Sequence, residues 1–516
     1  MENSKQKYVL SYDVGTSGTK AVIISTEGEV LGSAKSEYAL FYPGPAKVEQ
    51  NPEDYWSAIK STTKEVIEKT NISSDEILGL VFTTQAMGII PVDKSGKVLR
   101  PNISWVDGRA EKQALRIMRM LLGKRVFKSL IGIEITGKDV LPKLIWLREN
   151  EPEIYANTES ILDVNGYLKF MATGKKVFEW SGACSYTFDL KKKDWTRILF
   201  RLIGFDLKKL PPLVKSTDKV GVLTEKAALE LGLVEGIPVF GGCDDTQSAA
   251  MGSGAIHEGE AHIYLGTSAW VGASTARAPK FKNGAVTLQS ADPEKNIVVG
   301  ITEAAGINLD WVIDKFYLEE KKNLGLDRVY EIINQEGERI PAGSDHLILT
   351  PWMLGERCPV STTTTRATFF NLDHKHTRAH VVRAMGEGIA YNLRWIIENF
   401  EKDFKFDIPS LRVIGGVSQK DDWMQLIADV THRRIITTSQ PIWAGAIGAS
   451  AIVMVGAGVY PDFSCMDKFV QTRKEFIPNP DNFEIYEHLF EIYKDLYKAL
   501  KKTYIKANAD RFTKEL

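Results

Sequence analysis

The sequence predicts an α/β fold of two lobes that come from a duplicated domain, with a cleft between them and a C-terminal helical extension. Its 516 residues exceed what one hydrophobic core normally fills. Apolar strands flank two similar turns, Gly15–Ser17 and Gly266–Ser268, which lie about half a chain apart. Strand and helix patterns alternate around both turns, and a repeat at this separation indicates a duplicated domain.

The first half opens with a β-hairpin. Tyr8–Tyr12 and Ala21–Ser25 have the composition of strands on either side of a Gly/Ser/Thr turn. Asn51–Lys69 starts with a proline and acidic residues and has apolar positions at helical spacing, so it predicts an amphipathic helix. Ile77–Thr84 predicts a buried strand. Two later segments show helical patterns: Asp139–Asn150 and Ile161–Met171.

The pattern restarts near residue 236. Ile237–Phe240 predicts a short strand, and the small residues of Ser248–Gly252 predict a closely packed helix. A second hairpin follows, with strands Ala261–Leu265 and Trp270–Ser274. The second hairpin matches the first in the position of its turn between two apolar strands.

These elements predict three parts of the chain. Residues 1–247 are expected to form an N-terminal lobe with the first turn, and residues 248–460 a C-terminal lobe with the second turn. Residues 461–516 form a helical extension that contains the amphipathic run Tyr486–Lys506. No low-complexity linker separates the lobes, so we expect them to pack together.

Composition restricts the class of partner. The chain is 44% hydrophobic and 25% charged with a net charge of −1, which excludes nucleic acid and an anionic membrane as main partners. Four widely spaced cysteines and the lack of a secretory signal predict a cytoplasmic protein. Ile442–Tyr460 has no charged residue, but its many small residues favour a buried helix over a membrane span.

The first turn has the chemistry of a phosphate-binding loop. Asp13–Lys20 combines an acid, two glycines, three hydroxyls and a lysine, and glycine lets backbone N–H groups approach phosphate oxygens. Asp13 is placed to hold Mg²⁺ through water. A plain hairpin turn would have a similar composition. The candidate nucleotide-binding residues here are Gly15, Thr16, Ser17, Thr19 and Lys20.

The second turn favours the phosphate-binding interpretation over a plain hairpin turn, because Gly266, Thr267 and Ser268 repeat the first turn in the other lobe. One nucleotide clamped between two matching turns explains both. The sequence contains no GxxxxGK[ST] loop and no protein-kinase HRD or DFG motif, and no GxGxxG follows a strand.

Two adjacent acids lie at the expected lobe junction. Asp244 and Asp245 follow a strand and precede a helix. A carboxylate at this place could accept the proton of a sugar hydroxyl during phosphoryl transfer. Either aspartate could instead cap the helix that follows, and spacing alone leaves both interpretations open.

With these motifs in order, the chain resembles the FGGY carbohydrate kinases over roughly residues 8–460. The segments that carry the resemblance are DVGTSGTK (Asp13–Lys20), WVDGR (Trp105–Arg109), GGCDDTQSAAMGSG (Gly241–Gly254), YLGTSAW (Tyr264–Trp270), LGERCP (Leu354–Pro359), EGIAYNLR (Glu387–Arg394), IGGVSQKDDWMQLIADV (Ile414–Val430) and WAGAIGASA (Trp443–Ala451).

The resemblance implies two actin-like (ribonuclease H-like) lobes that bind Mg-ATP and phosphorylate a sugar. Aligning Gly252 and Gly254 with the family's glycines places the general base at Asp245, with Asp244 as the alternative if the register differs by one. Asp245 would then contact both the sugar and, together with Asp13, the Mg²⁺ ion. The lobes would close over the cleft and exclude water.

The resemblance also implies the sugar pocket. The W-x-D-x-R element assigns Trp105, Asp107 and Arg109 to substrate binding, although a structural salt bridge beside a core tryptophan has the same pattern. Gln85 and Met87 lie at the end of a substrate-side strand, where xylulokinases carry QMHG; Met87 replaces the histidine and could simply be packed. Pro142–Tyr155 resembles the xylulokinase branch, so D-xylulose is the first substrate expected, with gluconate, glycerol, ribulose or another polyol as alternatives.

On the adenosine side, the resemblance assigns Gly415, Gly416 and Val417 to the nucleotide. Val417 replaces the third glycine of the family's GGGA-x-S loop, and Lys420 replaces its serine, which puts the base contacts and the preference for ATP in question.

Two hypotheses from other classes remain open at this point. A nucleotide switch of the actin and heat-shock chaperone type would share both turns, but would lack a sugar pocket and an acid at the seam. A non-catalytic sugar sensor would fit the altered adenosine loop. The expected partners are a small sugar or polyol and, in a homodimer, a second copy of the chain.

Overall fold

A computed structural model describes residues 7–120, 135–279, 281, 283–404 and 407–508. Across these ranges, two seven-stranded sheets form the centres of two lobes. No helix within them combines the length and the apolar character that a bilayer span requires.

The first sheet has the strand order β5-β6-β4-β1-β2-β3, with β7 paired to β4 beside β6. Strands β1, β2 and β3 are antiparallel, whereas β4 runs parallel to β1 and β6. All eight residues of β4 are buried, which suits a central parallel strand. The strands are β1 (Tyr8–Val14), β2 (Gly18–Ser25), β3 (Val30–Glu37), β4 (Ile77–Thr84), β5 (Lys219–Val222), β6 (Pro238–Phe240) and β7 (Cys243–Asp244).

The second sheet repeats this plan with the order β10-β11-β9-β8-β12-β13-β14. Its first strand β8 pairs antiparallel with β9 and parallel with β12, as β1 pairs with β2 and β4. In both sheets the first strand lies between its antiparallel hairpin partner and a parallel strand from later in the chain, which is the pattern of two copies of one domain. The strands are β8 (Ala261–Leu265), β9 (Ala269–Thr275), β10 (Val286–Gln289), β11 (Asn296–Thr302), β12 (Ser410–Ile414), β13 (Arg434–Thr438) and β14 (Thr472–Phe476).

Helices and short strand pairs cover the sheets. The first-lobe helices are Pro52–Thr70, Glu111–Met120, Val140–Asn150, Pro152–Asn157, Val164–Thr173, Trp180–Ser185, Arg197–Leu202 and Glu225–Leu231. Those of the second lobe are Gly306–Phe316, Leu318–Leu324, Leu326–Gly337, Arg378–Phe404, Asp421–Thr431, Met466–Phe469 and Phe483–Asn508. The short strands are Phe41–Gly44, Lys47–Gln50, Ile90–Val92, Asn102–Ile103, Ser160–Leu162, Phe178–Glu179, Phe188–Asp189, Asp194–Trp195, Leu213–Val214, Ile348–Leu349 and Phe369–Phe370.

Two helices join the lobes: the first seam helix, Asp245–Ser253, and the second seam helix, Ala444–Gly456. They approach so closely that a Cβ atom on Gly252 would lie 1.8 Å from the carbonyl oxygen of Ala444. Ten of the thirteen residues of the second seam helix are buried, which confirms the buried helix predicted within Ile442–Tyr460. Glycine therefore sets the distance between the two helices.

The C-terminal segment completes the second lobe. β14 forms the edge of the second sheet by pairing with β13. The helix Phe483–Asn508 confirms the predicted amphipathic run, and its apolar face packs Tyr486, Phe490 and Tyr493 into the second core.

Most of the other predicted elements are confirmed, including both hairpins, the helix after Asn51 and the strand Ile77–Thr84. The helical prediction for Ile161–Met171 is wrong at its start, because Ser160–Leu162 is a strand. The Asp163 carboxylate accepts a hydrogen bond of 2.6 Å from the backbone N–H of Gly166, and this N-cap fixes the later start of the helix.

Candidate active site between the lobes

The first turn is held by side chains of its own lobe. The backbone N–H of Gly15 donates to the carbonyl of Gly18 at 2.9 Å and closes the turn. Tyr38 Oη donates to the carbonyl of Gly15 at 2.6 Å, and Gln50 Nε2 donates to that of Thr16 at 2.8 Å. The carbonyl oxygens, which would repel a phosphate, are thus held on the protein side of the turn.

The second turn is held in the same way, but by backbone groups. The N–H of Gly266 donates to the carbonyl of Ser268 at 3.0 Å. The carbonyls of Gly266 and Thr267 accept from the N–H groups of Gly306 and Ala305, both at 3.0 Å. Both turns therefore have occupied carbonyls and an exposed tip residue, Ser17 in the first and Thr267 in the second.

Thr19 and Lys20 occupy different environments in the strand that follows the first turn. Thr19 is fully buried, so its hydroxyl is not accessible to a nucleotide, although the sequence predicted it as a nucleotide-binding residue. Lys20 Nζ lies 3.5 Å from Asp13 Oδ2 and is partly exposed. Of these two residues, only Lys20 contacts an acidic side chain, that of Asp13.

Asp13 and Asp245 come together where β1 ends and the first seam helix begins. Burial, followed by the nearby charge of Asp13, raises the pKa of Asp245 to about 7. The second seam helix reaches the same place, because a Cβ atom on Gly445 would lie 2.8 Å from Asp13 Oδ2. The two carboxylates and Lys20 thus form the polar centre of the seam.

Asp244 points elsewhere, although it precedes Asp245 directly. Its side chain is 4% exposed, makes no cap hydrogen bond to the helix and has an unpartnered Oδ1. Burial and the charges of Asp163 and Asp245 raise its pKa well above the usual range of a carboxyl group. Its neighbours Glu179 and Lys169 belong to the same buried cluster. The fold therefore separates the two aspartates, and only Asp245 is partly exposed at the seam.

Tyr264 connects the second turn to these acids, and the sequence analysis did not identify it. Its ring stacks on Trp270 with centroids 4.0 Å apart. A Cβ atom on Gly266 would lie 3.1 Å from the Tyr264 hydroxyl. Burial and the charges of Asp13 and Asp245 raise the pKa of Tyr264 to about 12. Tyr264 and Trp270 lie the same number of residues before and after the turn, and this spacing in the sequence could have indicated the cross-strand pair.

The Trp105–Arg109 segment borders the first turn. Trp105 Nε1 donates to Thr16 Oγ1 at 2.9 Å. Asp107 is fully buried, accepts from the N–H of Val48 at 2.6 Å and is paired with Arg109 at 2.7 Å. Arg109 also pairs with Glu49 at 2.6 Å. The acid and the guanidinium thus have protein partners, and the indole of Trp105 faces the turn.

Gln85 and Met87 lie beside the same turn. Gln85 is 2% exposed, and its Nε2 donates to Gln50 Oε1 at 2.9 Å and to the carbonyl of Gly15 at 3.3 Å. Met87 has a φ of 63°, in the left-handed region that non-glycine residues rarely adopt. Its half-buried side chain packs against the apolar cluster that contains Ile89 and Ile103. Backbone strain of this kind is concentrated at functional sites.

The lobes also meet across the cleft at contacts that the sequence analysis did not identify. Lys138 Nζ of the first lobe lies 4.0 Å from Glu303 Oε2 of the second. The other oxygen of Glu303 pairs with Arg357 Nε at 2.5 Å. Lys193 Nζ donates to Gln289 Oε1 at 2.5 Å on another side of the seam.

The 415–417 loop approaches the second turn from the other side of the second lobe. Gly415 has a φ of 95°, and a Cβ atom there would lie 2.3 Å from the carbonyl oxygen of Leu265. Gly416 is exposed, whereas Val417 lines an apolar pocket that extends from Gly266 to Trp423. The loop and the second turn therefore border one continuous pocket.

Comparisons with known proteins cover nearly the whole chain. Residues 8–252 match the FGGY family of carbohydrate kinases, N-terminal domain, and residues 261–457 match the C-terminal domain of that family. The xylulose kinase of Bacillus subtilis (strain 168) is 30% identical over 487 residues, which cover 94% of this chain and 95% of the relative. The gluconokinase of the same strain is 25% identical over 501 residues, or 96% and 97% of the two chains.

A solved structure shows the same fold. The crystal structure of gluconate kinase from Lactobacillus acidophilus superposes with a TM-score of 0.87 at 23% identity, covering 97% of this chain and 99% of that one. The two-lobed architecture is thus the actin-like, ribonuclease H-like fold that the resemblance implied. Together, the two domain matches and the full-length relatives show that the chain is a sugar kinase that belongs to the FGGY family of carbohydrate kinases.

Proposed function

We propose that the enzyme transfers the γ-phosphoryl group of ATP to a hydroxyl of D-xylulose, giving D-xylulose 5-phosphate, with Asp245 as the general base. The observation that carries the proposal is the position of Asp245, which is partly exposed at the seam beside Asp13 and close to both turns. A nucleotide that spans the turns would bring its terminal phosphate to this acid.

The chemistry follows from the protonation of Asp245. A sugar hydroxyl is a weak nucleophile near neutral pH, and a carboxylate within hydrogen-bond reach accepts its proton as the new O–P bond forms. A base with a pKa of about 7 holds a proton more tightly than an ordinary aspartate, yet is about half ionised at neutral pH. The backbone N–H groups of the turns would bind the charge on the phosphates.

The residues at the seam fit a magnesium ion. Mg²⁺ prefers oxygen ligands and is usually bound by one or two carboxylates together with substrate phosphates and water. Asp13 and Asp245 supply two carboxylates, and only Lys20 pairs with Asp13 among the described residues. We propose that these two acids hold the ion, which would neutralise phosphate charge when bound.

The charges around the site favour a neutral sugar over a sugar acid. A sugar carboxylate needs a cation without a carboxylate partner. Lys20, Arg109 and Arg357 are paired with Asp13, Asp107 and Glu303 respectively, so none of these three is available to a sugar carboxylate. Lys193, whose partner is the amide of Gln289, is the cation at the seam that a sugar acid could use. The greater identity to the relative named xylulose kinase than to the one named gluconokinase supports the same choice.

A coupled ADP-release assay with D-xylulose, D-ribulose, glycerol and D-gluconate tests the substrate. We expect the highest kcat/KM with D-xylulose and a value at least tenfold lower with gluconate. Product analysis by ³¹P NMR would identify the hydroxyl that receives the phosphate. A higher kcat/KM with gluconate would contradict the proposal that D-xylulose is the substrate. It would also require a cation outside the three ion pairs to bind the sugar carboxylate.

The pH profile of kcat/KM is a second prediction. The pKa of Asp245 is raised to about 7, so the ionised base is lost as pH falls through that value. We expect kcat/KM for Mg-ATP, which reports the enzyme before the magnesium nucleotide binds, to fall tenfold per pH unit below about pH 6 and to reach a plateau above about pH 8. Asp13→Asn removes a charge that raises this pKa, so the residual activity should keep its plateau to lower pH. An acid limb at pH 4 in the wild-type enzyme would contradict the assignment.

Gln85→Ala gives a third prediction. Because the Gln85 amide holds the first turn through Gly15 and Gln50, its loss should disturb nucleotide binding more than sugar binding. We expect the KM for Mg-ATP to rise about tenfold and the KM for the sugar to change less than threefold, since a lost buried hydrogen bond costs about 1–2 kcal/mol. Steady-state kinetics would contradict this prediction if the KM for the sugar rose about tenfold and the KM for Mg-ATP changed little. That result would show that Gln85 binds the sugar directly.

A further inference from the structure

The strand that leads to Asp245 is very short. β7 (Cys243–Asp244) consists of two residues, which pair with Thr83 and Thr84 of β4. Such a short pairing supplies few backbone hydrogen bonds. A general base, however, must lie within hydrogen-bond reach of the proton that it accepts. The position of Asp245 therefore depends on contacts outside the sheet.

The Ser181 hydroxyl holds the backbone directly in front of Asp245. The N–H of Asp244 donates to Ser181 Oγ at 2.9 Å. Ser181 is 1% exposed and Asp244 is 4% exposed, so bulk water cannot replace this acceptor. A buried N–H without a partner is costly, and the backbone would shift to find another acceptor. Because Asp245 is the next residue, such a shift would move its carboxylate as well.

The Glu179 carboxylate sets the direction of the Ser181 hydroxyl. Glu179 Oε2 accepts from the backbone N–H of Ser181 at 2.7 Å and also from the hydroxyl of that serine. A hydroxyl has one hydrogen to donate. Its use by Glu179 leaves the lone pairs of Ser181 Oγ to accept from Asp244. Glu179 is itself 1% exposed, and it therefore acts on the seam through Ser181.

Two side chains of the helix Val164–Thr173 hold the same backbone from another side. Lys169 Nζ donates to the carbonyl of Gly241 at 2.9 Å, and Asn165 Nδ2 donates to that of Cys243 at 3.3 Å. Both side chains are buried. Together with the serine contact, they hold three of the four residues that precede the base.

We propose that Glu179 and Ser181 are positioning residues for the general base, which they place through the backbone N–H of Asp244. This inference rests on the proposed function, which assigns the base to Asp245. The hydrogen bonds of the pair end one residue before the base, so both side chains should affect phosphoryl transfer more than the binding of either substrate. A displacement of about 1 Å at a reacting group can cost about a hundredfold in rate.

Ser181→Ala removes the acceptor of the Asp244 N–H. We expect kcat with the best sugar substrate to fall about ten- to hundredfold, while the KM values for Mg-ATP and for the sugar change less than about threefold. Wild-type kcat in this variant would overturn the inference.

Ser274→Ala is the matched control, because it also removes a buried hydroxyl. Ser274 lies at the end of β9 remote from the second turn, and its hydroxyl donates to the carbonyl of Ala255 at 2.6 Å. Both variants lose one buried hydrogen bond, so we expect Tm to fall by similar amounts, whereas kcat of Ser274→Ala should stay within about twofold of the wild-type value. Equal losses of kcat in the two variants would reduce Ser181 to a structural role and contradict the proposal.

Variants of Glu179 test the same path. Glu179→Gln keeps an oxygen that accepts from Ser181, so its kcat should stay within about fivefold of the wild-type value, whereas Glu179→Met should lower kcat about tenfold or more. Both residues act on one N–H, so combining Glu179→Met with Ser181→Ala should give the kcat of Ser181→Ala alone. Losses that multiply in the double variant would show independent roles and overturn the inference.

Asp245→Asn distinguishes this inference from the proposed function. A large loss of kcat in Asp245→Asn together with wild-type kcat in Ser181→Ala would leave the base assigned and overturn the positioning role alone. Wild-type kcat in Asp245→Asn would reject the proposed base, and the positioning role would be overturned with it. Loss of kcat in both variants, with both KM values retained in Ser181→Ala, is the result that we expect.

Discussion

Asp245→Asn should lower sugar-dependent kcat by about a hundredfold to ten-thousandfold, the usual contribution of a general base, while changing the Kd of Mg-nucleotide by less than about tenfold. The amide keeps the size of the side chain but cannot accept the proton of the sugar hydroxyl. ADP-release kinetics and calorimetry on the same preparation measure the two quantities. Because Asp245 is also proposed to hold the magnesium ion together with Asp13, a modest loss of nucleotide affinity is expected.

Asp244→Asn is the matched control, because it makes the same chemical change one residue earlier. Asp244 is buried away from the seam, its Oδ1 has no hydrogen-bond partner, and burial raises the pKa of its carboxyl group well above the usual range. An amide has the same size and shape as this carboxyl group, so kcat should stay within about tenfold of the wild-type value. If Asp244→Asn abolished activity and Asp245→Asn did not, the assignment of the base would be wrong by one residue.

Gly252→Ala should be among the most destabilising single-methyl changes in the chain. The added Cβ would lie 1.8 Å from the carbonyl oxygen of Ala444, so the seam helices would have to separate. Overpacking of this severity costs about 3 kcal/mol or more, or a loss of roughly 6–12 °C in Tm for lobes of this size. Thermal unfolding followed by circular dichroism measures the shift, and the spacing of Asp13 and Asp245 should change with it.

Gly337→Ala supplies the control for that prediction. Gly337 ends a helix of the second lobe, and no atom lies within 4 Å of the Cβ it would gain. The Tm of the Gly337→Ala variant should differ from that of the wild-type protein by less than about 3 °C, or be slightly higher, because alanine favours the helical conformation. Equal effects of the two substitutions would show that close packing at the seam does not limit stability.

Local patterns were sufficient to predict the elements that depend on local chemistry. The two hairpins, the helix after Asn51 and the buried strand Ile77–Thr84 follow from turn residues and apolar periodicity. The edge strand Thr472–Phe476 could not be predicted in this way, because four of its five residues are exposed and its pairing with β13 depends on backbone hydrogen bonds. The strand Ser160–Leu162 was missed because its three residues are too few to show a period of two.

The candidate site likewise contains some residues that local sequence patterns predict and others that depend on tertiary packing. Glycine-rich turns and adjacent acids are visible in the sequence because each lies within a few residues. The contacts that join the lobes, such as Tyr264 with the acids and Lys138 with Glu303, depend on tertiary packing of distant segments. The sequence also could not show that Gln85 would face the first turn or that Asp244 would be buried, since burial follows from the arrangement of both lobes.

The most direct test of the account is whether both turns bind the same nucleotide. Calorimetry with Mg-AMP-PNP should give one nucleotide per chain. Ser17→Asp and Thr267→Asp, which place a negative charge at the tip of each turn, should each weaken binding at least tenfold relative to Ser17→Asn and Thr267→Asn. Two nucleotides per chain, or a charged variant that binds as well as its neutral counterpart, would contradict a single nucleotide held between the lobes.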